Sequence, residues 1–188
     1  MDGISLLPVL NGTKATHRTE VFLERERHCL ARFDSGMYSG YPMRAIRTKD
    51  YLYIRNFRPA RMPAGDESIP NTPSLYGDVD GGPTKAFLID NRDNPKVKYF
   101  FDLSFGKRPA EELYSIKNDP YNLNNIAAKA EYNAIKNELS SRLKKWMEEE
   151  KDPRLNGGGN EIDRYLGTTT AWITKWGIEF ADELPKSN

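Results

Sequence analysis

The sequence predicts an α+β domain, and three observations carry that expectation. Four short stretches favour extended structure: Arg18 to about Glu24, Met43 to Thr48, Tyr51 to Phe57, and "ELYSI" at Glu112 to Ile116. The second and third meet at the short junction Lys49-Asp50, which suggests an antiparallel hairpin. One long amphipathic stripe follows: Tyr132, Ile135, Leu139, Leu143 and Trp146 recur at three- or four-residue steps with polar residues between them. That stripe predicts a helix from about Asn125 to about Glu150, buried against a small sheet.

Each element has a local reason. "ISLL" at Ile4 to Leu7 reads as a short amphipathic turn, followed by Pro8 and a loop that closes on Asn11-Gly12. Val21, Phe22 and Leu23 form the apolar centre of the first strand. "DSGMYSGYP" is dense in Gly, Ser and Pro and reads as a loop. Arg58 to Gly82 is Pro- and Gly-rich and predicted irregular, and a loop of that length in a compact domain is usually functional or packed on another surface. Pro83 suits the first turn of a helix through "TKAFLIDN", and a second helix fits "PKVKYFFDLSF". "KNDPYNLNN" reads as a turn with several capping side chains. Asp152-Pro153 and Gly157-Gly158-Gly159 end the long helix and open a link to an apolar tail holding Trp172 and Trp176. The expected organisation is therefore residues 1–17 as a linking segment, 18–150 as the α+β unit, and 151–188 as a Gly-rich link and tail.

Composition narrows the function classes. The chain has 188 residues, 38% hydrophobic and 29% charged, which suits a folded domain with a real core. A net charge of +1 points away from a nucleic-acid protein, which would usually be far more basic. No apolar run approaches the roughly 20 residues of a membrane-spanning helix. The single cysteine can form no internal disulfide.

That cysteine, Cys29, stands beside His28, a pairing that nucleophilic cysteines often use. Neighbouring side chains on a strand point to opposite faces, so the two would not meet if the strand continued, and Cys29 reads as a buried small residue and not as the nucleophile. His17 and His28 lack zinc spacing and cysteine companions. "DVDGG" at Asp78 to Gly82 opens like a calcium loop but does not continue as one, and reads as a turn. No phosphate-binding glycine loop, serine elbow or dinucleotide fingerprint is present. What remains is a basic run: Arg44, Arg47, Lys49, Arg55, Arg58 and Arg61 against the single acid Asp50. Arginine's fork matches sulfate and carboxylate oxygens, so the run reads either as an anion site or as a solvated sheet face.

Several stretches together resemble the C-terminal part of type I sulfatases. "DGISLLPVLNG" resembles the segment joining the large sulfatase domain to the smaller one, and "ELYSIKNDPYNLNNIA" resembles the strand, turn and helix start near the end of many sulfatases. "ERERHCLAR" with "YPMRAIRTKDYLYIRNF" is similar, more narrowly, to the N-sulfoglucosamine sulfohydrolase (heparan N-sulfatase, sulfamidase) branch, with "YPMR" the sharpest tie. The resemblance covers about Asp2 to Glu150 and implies a four-stranded antiparallel sheet packed on a long C-terminal helix.

It also implies a division of labour. Such enzymes attack sulfur with a formylglycine made from a Cys/Ser-x-Pro/Ala-x-Arg motif, beside a calcium held by Asp and Asn side chains. Cys29 to Phe33, Ser68 to Thr72 and Ser104 to Arg108 each fail that motif at one required position. The resemblance thus implies no catalytic residue, metal site or cofactor in this chain; formylglycine and calcium are expected in an N-terminal sulfatase domain, its implied partner. This chain would wall the pocket for a sulfated glycan, with Glu26, Arg27, His28, Tyr41 and Arg44 as the substrate-binding group. The order Glu-Arg-His-Cys departs from that branch's pattern and leaves the sulfated sugar open. The isolated chain is expected to be inactive, and the parent to be periplasmic, secreted or lysosomal. Two other readings stand beside this one: a non-catalytic module for sulfated or acidic glycans using Arg44 to Arg61, and a structural interaction domain. An apolar patch from Ile4 to Leu10, joined by the Trp172–Trp176 tail, is expected to be covered by self-association.

Overall fold

A computed structural model describes residues 3–26, 29–34, 37–68, 75–155 and 162–164. In chain order the elements are α1 (Leu7–Leu10), β1 (Glu20–Arg25), β2 (Phe33–Asp34), β3 (Met37–Tyr38), β4 (Met43–Thr48), β5 (Tyr51–Asn56), α2 (Pro83–Asp90), α3 (Lys98–Phe105), β6 (Glu111–Ser115) and α4 (Asn133–Glu149). The main sheet runs β1-β4-β5-β6, and every neighbouring pair is antiparallel. The expected α+β architecture, a four-stranded antiparallel sheet on a long C-terminal helix, is the one observed.

Register and alternation decide which side chains meet α4. Phe22 pairs with Ile46, Ile46 with Tyr53, and Tyr53 with Leu113, so one row crosses all four strands. Because side chains alternate, the whole row lies on one face. It packs with Leu139, Leu143 and Met147 of α4 into the main core. Burying each of these side chains is worth roughly 1.5–3 kcal/mol. Phe22 stacks on Trp146 with ring centroids 4.8 Å apart.

The structure differs from the sequence reading at three places. The long helix starts at Asn133, after a 3₁₀ turn at Ala130–Tyr132, and not near Asn125. Asn125 Oδ1 instead accepts from Leu113 N at 2.9 Å, and Ile126 N donates to Leu113 O at 2.9 Å, so these residues finish the edge of β6. Pro8 sits inside the one-turn helix α1, where a missing N–H costs nothing. The "DSGMYSGYP" loop contains the miniature hairpin β2–β3, whose Phe33 and Tyr38 rings meet edge to face.

The Arg58–Gly82 stretch is irregular where it is described, as expected. It closes over a second, smaller core of Ala64, Tyr76 and Phe105, to which α2 and α3 add Leu88, Ile89 and Phe101. Gly65, at φ +100, makes this closure possible: a Cβ there would lie 2.7 Å from Gly77 N.

Candidate functional site

The candidate site is the end of β1 and the strand entry beside it. Alternation along β1 sends Phe22, Glu24 and Glu26 toward the α4 face and Arg25 toward the other. Glu26 and Arg44, two of the residues expected in the site, meet there: Arg44 Nη2 lies 2.7 Å from Glu26 Oε1. The Arg44 guanidinium is 2% exposed and grips Asp152 with both edges, Nε to Oδ2 at 2.5 Å and Nη2 to Oδ1 at 3.1 Å. Asp152 reaches it because α4 ends in a Schellman motif: Asp152 N donates to Met147 O at 2.8 Å and Lys151 takes φ 55.

Glu26 is shared by a second arginine. Arg154 Nε lies 3.1 Å from both Glu26 oxygens, and its Nη2 pairs with Glu26 Oε2. Arg154 Nη2 also stands 3.5 Å from Asp163 Oδ1. Asp163 accepts from Gly40 N at 3.0 Å and from Arg61 Nη1 at 3.0 Å, and Arg61 continues to Asp34 at 3.1 Å. Burial alone would raise the Asp163 carboxyl; the Gly40 amide, Arg61 and Arg154 outweigh it and hold the group below the ordinary carboxylate range.

Tyr41 is tied to the same place by its backbone, whose N–H donates to Glu26 O at 2.8 Å. Its side chain turns to the opposite face, into a cleft of about 500 Å³ floored by Met43, Leu52 and Ile54. Arg25 and Arg108, which sequence reasoning did not single out, line the same cleft. The Tyr41 hydroxyl is buried and has no hydrogen-bond partner among the described residues. Burial, followed by the nearby Glu112 charge, pushes it up to about 12, so it stays protonated at neutral pH. Arg27 and His28 lie outside the described residues.

Cys29 has a defined environment. Its Sγ lies 3.0 Å from Asp78 Oδ1 and 3.2 Å from Gly77 O. Burial and the hydrogen bond to Asp78 push the thiol up to about 12, which removes thiolate character. Asp78 itself pairs with Arg25 at 2.8 Å and with buried Arg32, so the "DVDGG" acid neutralises arginines. No group of three or more His, Cys, Asp or Glu side chains among the described residues could hold a metal ion. The basic run is dispersed: Arg44 and Arg61 point into carboxylates, Arg55 stacks on Phe57 at 5.2 Å, and Arg47 and Lys49 are exposed.

No protein-family model matches the chain. An ulvan-active sulfatase of Formosa agariphila is 28% identical over 152 residues, which is 81% of this chain and 25% of that protein. Another ulvan-active sulfatase of the same organism is 31% identical over 109 residues, 56% of this chain and 16% of that protein. Several solved structures align with it as well. A 2-O GAG sulfatase matches at 21% identity, TM-score 0.45, over 81% of this chain and 21% of that one. A protein solved with its substrate D-glucosamine-2-N,6-O-disulfate matches at 22% identity, TM-score 0.41, over 85% and 21%. The chain thus spans about a quarter or less of the length of the curated relatives it matches, and its sequence similarity is to sulfatases.

Proposed function

We propose that this chain is the C-terminal α+β subdomain of a sulfatase that hydrolyses N- or O-linked sulfate from a glycan, with heparan-type glucosamine as the substrate class. The observation that carries the reading is the 28% identity over 152 residues to an ulvan-active sulfatase. The nucleophile, formylglycine, and the calcium belong in this reading to a large N-terminal domain, and this chain walls the pocket. Within the proposed group Glu26, Arg27, His28, Tyr41 and Arg44, the geometry supports different parts. Glu26 and Arg44 neutralise each other and set the direction of the strand end. Tyr41 lines the cleft of about 500 Å³, and its hydroxyl, which has no partner among the described residues, is assigned to a sugar hydroxyl or sulfate oxygen. Arg27 and His28 follow Glu26 directly and are assigned to the sugar on the resemblance.

A second substrate class has its own support: the relatives are ulvan-active, which makes ulvan the alternative glycan. The test measures sulfate release from N-sulfoglucosamine and from ulvan by the longer protein and by the 188-residue chain. The longer protein should turn over one of them, the chain alone neither, and Tyr41→Phe should lower kcat/KM by roughly tenfold, one hydrogen bond's worth. Sulfate release by the 188-residue chain alone would refute the reading.

A further inference from the structure

The charges at the end of β1 form one alternating series through the interior: Asp152, Arg44, Glu26, Arg154, Asp163, Arg61. Half of its members, Asp152, Arg154 and Asp163, come from the stretch after α4. Arg44, Asp152, Arg154 and Asp163 are all nine-tenths or more buried. Buried ions are tolerated only when they are paired and hydrogen-bonded, so these partners are mutually dependent. The series also spans the loop between β1 and β4. At the loop's start Arg154 holds Glu26; at its end Asp163 takes the Gly40 amide, and Arg61 Nη1 donates to Gly40 O at 2.9 Å. The two ends are drawn so close that a Cβ on Gly40 would lie 2.7 Å from Glu26 O.

We propose that Asp152, Arg154 and Asp163 act as an ionic clasp that fixes the end of β1 against the Gly40–Tyr41 strand entry, making Arg154 and Asp163 positioning residues for the substrate rim. The clasp acts through Glu26 and Gly40. Arg154 and Asp163 need not touch the glycan; each sets where the rim stands relative to the reacting sulfate. The substrate half of this inference rests on the sulfatase reading, whereas the clasp itself rests on geometry alone.

Two measurements separate the two. Amide exchange on the 188-residue chain compares wild type, D163A and D163N. D163A should speed exchange at Gly40 and Tyr41 at least tenfold while the amides of Ile46, Tyr53 and Leu113 stay protected. D163N, which keeps an oxygen for the Gly40 amide, should lie between. Unchanged exchange at Gly40 and Tyr41 in both variants overturns the clasp, whatever the enzyme does. Steady-state kinetics of the longer protein then compares R154M and R154K. R154M should raise KM for the sulfated glycan at least tenfold and leave kcat for a small aryl sulfate within twofold, with R154K recovering part of the loss. Faster exchange with an unchanged glycan KM overturns the positioning role and leaves a purely structural clasp. If no sulfated glycan is hydrolysed at all, the sulfatase reading falls and takes the positioning role with it, while exchange still decides the clasp.

Discussion

Arg44 shows how much one side chain carries here. A guanidinium at this depth survives because Asp152 and Glu26 supply its counter-charge, and removing it strands the buried Asp152 and leaves Glu26 to Arg154 alone. Arg44→Met should therefore lower stability by about 3–5 kcal/mol in urea unfolding, and a loss under about 1 kcal/mol would show that the carboxylates find water instead. Tyr53 sets a second residue-scale expectation, on pH. Its hydroxyl donates to Glu111 Oε1 at 2.5 Å, and burial followed by that bond pushes it up to about 12. A raised folded value means stability that is whole below the unfolded value near about 10 and is lost as pH rises through about 12. The urea midpoint should fall above about pH 9, and Tyr53→Phe should make that fall shallower without removing it, because Tyr41 and Cys29 are raised as well. An equal slope in the variant would assign the alkaline loss to other groups.

Among the elements, α4 was the most legible before folding was considered. Its stripe named Leu139 and Leu143, both buried, and Tyr132, Ile135 and Trp146, which pack at the edge of the core. Its ends were less legible. The start moved because Asn125 caps β6, a contact with a strand more than ten residues away that local pattern cannot show. The finish depends on Lys151 at φ 55, a left-handed conformation usually given to glycine. Lys151→Gly should therefore raise stability by about 0.5–1 kcal/mol, with relief of side-chain strain exceeding the added chain entropy. A destabilised variant would mean that the Lys151 side chain makes a contact worth more than the strain.

At the scale of the whole molecule, the N-terminal segment is the clearest unfinished surface. Ile4, Leu6, Leu7 and Leu10 are each more than half exposed, at 62%, 56%, 67% and 77%. Apolar clusters of this kind usually mark a contact surface. Sedimentation at tens of micromolar should show the chain associating with itself, and the pair Leu7→Lys and Leu10→Lys should return it to monomer. A wild-type chain that stays monomeric would remove self-association as the cover. The Trp172–Trp176 part of the expected patch lies outside the described residues.

By itself the sequence determined the sheet, the hairpin and the helix, because their signals are periodic and local: alternation along strands, three- and four-residue steps along α4, Pro83 at a helix start. It also marked Glu26 and Arg44 as neighbours in purpose through their resemblance to sulfatases. Only the tertiary structure decided what those charges do. Arg44 meets Asp152 and Glu26 meets Arg154 across separations of 108 and 128 residues, and no local pattern encodes an ion pair at that range. Nor could it show that Tyr41 turns its ring to one face while its backbone holds Glu26 on the other. Burial makes those pairings obligatory, since a charge taken out of water must find its partner wherever the fold has brought one.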